Sequence, residues 1–115
     1  MITKFAATAA LALMFLSAPA FAGCITKEDQ IKGYSVYPDV SSVVFEGDKA
    51  KKLLAAINTK PLPWEGEDFE GDVIVVHTRT THPLAMVDGF KNGCGVKTLS
   101  VPKKFINDKI QEALQ

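Results

Sequence analysis

Beyond its first 22 residues the chain has no long apolar run, no excess of one charge and no low-complexity stretch. The first lack excludes a membrane-spanning segment there, since a span needs roughly 20 apolar residues to cross about 30 Å. The second argues against nucleic acid or an anionic lipid surface as partner. Only two cysteines and two histidines occur. No CxxC is present, so a thioredoxin-type redox motif is absent. GxSxG, HExxH and a phosphate-cradling glycine loop are missing as well, and no cofactor is implied. The serines beyond residue 22 are Ser35, Ser41, Ser42 and Ser100, and none stands in a familiar nucleophile context.

What is present begins with MITK and the apolar run FAATAALALMFLSA, followed by Pro19 and Ala20-Phe21-Ala22. A short positive region, an apolar core and small residues at the end are the layout of a secretory signal peptide. The expectation is residues 1–22 as signal and 23–115 as one exported domain. That segment carries twelve Lys and Arg against thirteen Asp and Glu, a net charge near −1. A domain of this size buries little more than about 60% of its unfolded surface and benefits from a covalent staple. Two cysteines in an exported chain predict one disulfide, Cys24–Cys94. Closing so long a loop is worth roughly 4 kcal/mol in the chain-entropy model. The alternative fate of Cys24 is lipidation at the near-lipobox Phe21-Ala22-Gly23-Cys24, which would leave Cys94 unpaired.

Periodicity supplies the elements. Residues 24–33 read as an irregular lead-in. YSVYPDVSSVVFEG allows a short strand at 34–37 and a better one at 41–46, with Pro38 breaking the ladder between them. In 48–58, Ala50, Leu53, Leu54 and Ile57 repeat at i, i+3, i+4, i+7, which marks a helix. Gly47 or Asp48 would cap it. VIVVHTRT (73–80) is apolar on both faces and predicts a central strand covered on both sides. LAMVDGF (84–90) and CGVKTLSV (94–101) follow, joined across Asn92-Gly93, a hairpin signal. Pro102 opens a final amphipathic helix, 102–114. The predicted fold is a small α+β domain: an antiparallel sheet of three to four strands, a meander over 73–101, two helices on one face and one disulfide.

Three clusters are candidates for function. The loop at 59–72 crowds five acids into residues 65–72 around Trp64 and Phe69. Trp64, Glu67, Asp68 and Phe69 are a candidate protein-binding spot, since aromatics framed by charge resemble interface hot spots. The same aromatics could instead anchor the loop to the core. His77 and His82 flank a turn beside Arg79 and are a candidate metal pair, with Asp88 or Asp72 as further ligands, because zinc needs three or four. Their spacing matches no zinc motif. The cysteines are the third cluster and read as structural. The resulting expectation is a small exported, periplasmic or secreted binding or inhibitor-type module, without catalytic activity, whose partner is another envelope or extracellular protein. The alternatives are a lipid-anchored envelope accessory protein and a small metal-dependent protein using His77 and His82. The sequence sets no oligomeric state.

Overall fold

The computed structural model describes residues 23–115, so the expected signal segment 1–22 lies outside the described residues. The elements run α1 (Lys27–Tyr34), β1 (Val40–Glu46), α2 (Gly47–Ile57), β2 (Val73–Arg79), β3 (Leu84–Lys91), β4 (Cys94–Pro102) and α3 (Lys103–Leu114). The four strands pair antiparallel in the order β1-β2-β3-β4. The α+β class, the sheet and the disulfide are as the sequence predicts, and the helix count is three rather than two.

The front face of the sheet carries the main core. Phe45 of β1, Ile74 and Val76 of β2, Ala85 and Val87 of β3 and Val101 of β4 all point to this side, because alternate residues of a strand share a face. Leu53 and Ile57 of α2 and Ile106 of α3 close over them, which is the stripe their spacing predicted. The expected cap on α2 is not formed. Glu46 is its N-cap residue and makes no side-chain cap hydrogen bond, while Asp48 sits in the first turn.

The back face is covered by the N-terminal segment, and here the sequence reading needs correction. Residues 24–33 are not an irregular lead-in. Thr26 caps a helix by accepting from the Asp29 amide at 3.1 Å, and Glu28 and Asp29 stand in the first turn, where the helix dipole favours negative charge. The short strand expected at 34–37 is not formed: Tyr34 ends α1, and residues 35–39 are turns. They turn the chain out of α1, with the Ser35 amide donating back to Ile31 and Lys32 and the Tyr37 amide to Tyr34. The helix buries no residue fully. It is fastened at one end by the Cys24–Cys94 disulfide, with Cα atoms 5.5 Å apart. The Gly95 amide adds a hydrogen bond to the Ile25 carbonyl at 2.8 Å. This segment is the second cover that the two-sided apolar pattern of β2 requires. Val75 and Phe90 are buried beneath it, outside the front cluster.

The long loop 58–72 is pinned at several points. Asn58 pairs its side-chain amide with the Phe69 backbone in both directions, at 2.9 and 2.8 Å. Downstream, the Asp72 amide donates to the Phe90 carbonyl at 2.9 Å. Gly71 passes so close to Gly89 that a Cβ on Gly89 would lie 1.9 Å from the Glu70 carbonyl oxygen. Only glycine fits there. At the β3–β4 hairpin, Asn92 and Gly93 both take positive φ, as the two-residue turn demands.

Candidate functional site

The back face holds the only two buried polar or charged residues among the described residues, His77 and Asp88, each 2% exposed. Strand register explains their meeting. Ser42 lies directly opposite His77 across β1 and β2, and Asp88 lies directly opposite Thr98 across β3 and β4. Asp88 pairs with Val75, two residues before His77 on the same face. Four polar side chains therefore form a row across all four strands.

The row is connected. Thr98 Oγ1 donates to Asp88 Oδ1 at 2.7 Å. His77 Nε2 meets Asp88 Oδ2 at 2.8 Å, and His77 Nδ1 meets Ser42 Oγ at 2.7 Å. A carboxylate only accepts, so Nε2 carries the proton toward Asp88. In the neutral ring Nδ1 is then the acceptor, and Ser42 donates to it. Every buried polar atom of the row has a partner, which is the condition for burying such groups cheaply. Tyr34 of α1 roofs the imidazole, with ring centroids 4.1 Å apart and planes 17° from parallel. Partial burial raises the Tyr34 pKa above the ordinary tyrosine value, and the nearby Asp88 charge and Tyr37 add to that.

Beside this roof lies an open hollow of about 200 Å³ between the 34–40 segment and the ends of β2 and β3. Tyr34, Tyr37 and Val40 form one wall, and Leu84 and Met86 form the other. Arg79, His82 and Ser100 contribute polar groups. Arg79 is doubly fixed. Its Nε donates to Asp39 at 3.1 Å, and its guanidinium carbon lies 4.6 Å from the Tyr37 ring centre. Lys103 donates to the Arg79 carbonyl at 2.7 Å and holds the end of β2. A second hollow, of about 270 Å³, opens on the other side of α1, bordered by Gln30, Asp88, Phe90 and Lys97.

No protein-family model matches this chain, and no curated protein or solved structure is significantly similar to it. Function must be argued from the geometry.

The residues singled out by sequence are distributed as follows. Phe69 is 2% exposed and belongs to the core. Trp64 packs edge-on against Phe105, centroids 6.2 Å apart, and donates its indole N–H to the Glu67 carbonyl at 3.0 Å. Of the two roles open to these aromatics, the structure has them anchoring the loop. Glu67 and Asp68 are exposed, and Asp68 pairs with Lys60. His77 and His82 both line the smaller hollow, but both ring nitrogens of His77 are already engaged. No group of three or more His, Cys, Asp or Glu side chains stands close enough to hold a metal among the described residues. Cys24 and Cys94 form the disulfide.

Sequence reasoning placed Asp88 with His77 only as a metal ligand, and it missed Ser42, Thr98 and the Tyr34 roof. Only the alternation of β2 carried a signal, since it puts His77 on the face of Val73 and Val75. The partners on three other strands depend on register, which alternation alone does not give.

Proposed function

We propose that the protein is an exported binding module whose contact surface is the rim of the smaller back-face hollow. The observation that carries this is the pair of exposed large side chains Tyr37 (45%) and Leu84 (41%) that line the hollow together with Arg79. Tyrosine and arginine around an apolar recess are the composition of interface hot spots. The acidic loop offers less, because Phe69 is buried in the core and Trp64 is half-buried against Phe105. Export is supported by the disulfide and by the signal-like start of the sequence. The same disulfide consumes the thiol that a lipid anchor on Cys24 would need. A periplasmic or extracellular partner follows from that location.

The test is co-purification from the native envelope with wild type, Tyr37→Ala/Leu84→Asp and Glu65→Gln/Glu67→Gln. The reading expects a partner retained by wild type and the loop variant and lost by the rim variant. Retention by the rim variant with loss by the loop variant would move the surface to the acidic loop.

A hydrolase is the second reading, because Ser42 donates to His77 and His77 donates to the Asp88 carboxylate, the order nucleophile, base, orienting acid. It ranks below binding because the imidazole side chain is 1% exposed beneath Tyr34. Covalent labelling of Ser42 by a fluorophosphonate, lost in His77→Ala, would promote it.

A further inference from the structure

We infer that the smaller hollow recognises a carboxylate carried on a compact apolar group. This deepens the binding reading above and rests on it. A volume of about 200 Å³ is below the range of roughly 300–1,000 Å³ typical of sites for drug-sized ligands. It suits one aliphatic or aromatic group rather than a nucleotide or a large cofactor. The apolar lining suits that group, with Tyr34, Tyr37 and Val40 on one wall and Leu84 and Met86 on the other.

Arg79 and His82 offer donors to the hollow, and the Tyr34, Tyr37 and Ser100 hydroxyls can donate as well as accept. His82 Nδ1 accepts from the Leu84 amide at 3.2 Å, so the neutral ring carries its proton on Nε2, a donor. His77 has no free acceptor, since Nδ1 is taken by Ser42 and Nε2–H by Asp88. Arg79 engages Asp39 through Nε. No side-chain hydrogen bond from its Nη groups occurs among the described residues, so a second edge of the guanidinium fork remains to be filled. Ser100 adds a hydroxyl. The two nearby carboxylates are already committed, Asp39 to Arg79 and Asp88 to His77 and Thr98. A ligand that accepts through two oxygens and buries an apolar body fills the free guanidinium edge, whereas an amide offers it one acceptor and an ammonium offers none and carries like charge.

The chemistry fits a free small carboxylic acid or the C-terminal residue of a peptide. The test is titration of the isotope-labelled protein, followed by amide chemical shifts, with N-acetyl-leucine, N-acetyl-leucinamide, 4-methylpentanoate, and a Gly-Gly-Leu peptide in free and amidated form. The expected result is saturable shifts at Val40, Arg79, Leu84 and Ser100 with the acids. The amidated forms should bind about tenfold or more weakly, because a charge-assisted hydrogen-bond pair is lost. Arg79→Gln should abolish the preference for acid over amide, Arg79→Lys should restore part of it, and Lys97→Gln, in the other hollow, should leave it unchanged. Whichever of peptide and free acid binds more tightly supports the assignment and names its source. Equal binding of acid and amide, shifts centred on Lys97, or no saturable shift would overturn it. The rim variants in the envelope co-purification judge the binding reading separately, so either can fail alone.

Discussion

The two faces of the sheet are held by different physics. The front face buries Leu53, Ile57, Ile74, Val87 and Ile106 beneath two helices that touch each other as well as the strands. Its stabilisation is apolar area removed from water, non-directional and tolerant of small shifts. The back face buries Val75 and Phe90 but also an imidazole and a carboxylate, and its cover is an eight-residue helix with no fully buried side chain. What keeps that cover in place is a covalent bond, one backbone hydrogen bond near it and one aromatic stack. The front face can lose any one contact and remain a core. The back face depends on a few specific links, and the two hollows beside α1 lie on that side. Segments with few buried apolar contacts are the ones that open first.

Substitutions should expose this difference by size and by location. Ile106→Ala is expected to cost the most, about 2–5 kcal/mol, as truncation of a fully buried aliphatic residue does. Urea denaturation followed by circular dichroism measures it, and protection should fall across the whole domain. Cys24→Ser/Cys94→Ser should cost about 2–4 kcal/mol. Its signature is regional. Hydrogen exchange should speed first in residues 25–37, while β2 and β3 keep protection close to the new global stability. Uniform acceleration would mean that the N-terminal segment is an integral part of the core and that the two faces are not distinct.

A smaller effect separates packing from polar coupling on the back face. His77→Leu should cost about 1–3 kcal/mol, because Asp88 and Ser42 lose their partner while the volume is roughly kept. The Asp88 carboxylate borders the larger hollow, and water entering there limits the loss. The double variant His77→Leu/Asp88→Leu should cost less than the sum of the two single changes, since it leaves no stranded charge. Residues in one hydrogen-bonded network couple by about 0.5–3 kcal/mol in such cycles. Strict additivity would show that the network contributes nothing beyond its separate residues.

The same contrast explains what was readable from sequence. Ala50, Leu53, Leu54 and Ile57 announce α2, and the strand residues 73–79 announce β2, because apolar burial writes a period into the chain. The disulfide was readable from the scarcity of cysteine. The helix α1 was not, since it has no apolar stripe to detect. Its signal was the capping chemistry of Thr26-Lys27-Glu28-Asp29, a side-chain acceptor followed by acids in the first turn. The polar row was hidden for another reason. Ser42, His77, Asp88 and Thr98 are spread over residues 42–98 and are brought together by three registers at once, each set by packing and turns elsewhere. Trp64 and Phe69 were visible as a pair, but their direction depends on Asn58 clipping the loop inward.

The smallest expected effect concerns the roof itself. Tyr34 stacks on His77 and its pKa is raised, first by desolvation and then by the charge of Asp88. Ionising it in the folded protein is therefore harder than in the unfolded chain, where the ordinary value of 10.0 applies. Its protonated form favours folding in full below that value. As pH rises past it, the unfolded state loses the proton first, and stability falls until the folded pKa is passed. Tyr34→Phe keeps the stack and removes the titration. The variant should melt close to wild type at neutral pH and lose less stability than wild type as pH rises above 10, read as the difference between the two melting temperatures at each pH. Identical alkaline slopes would mean that Tyr34 is not held against the polar row in solution, and the contrast between a closed front and a roofed back would lose its clearest local reporter.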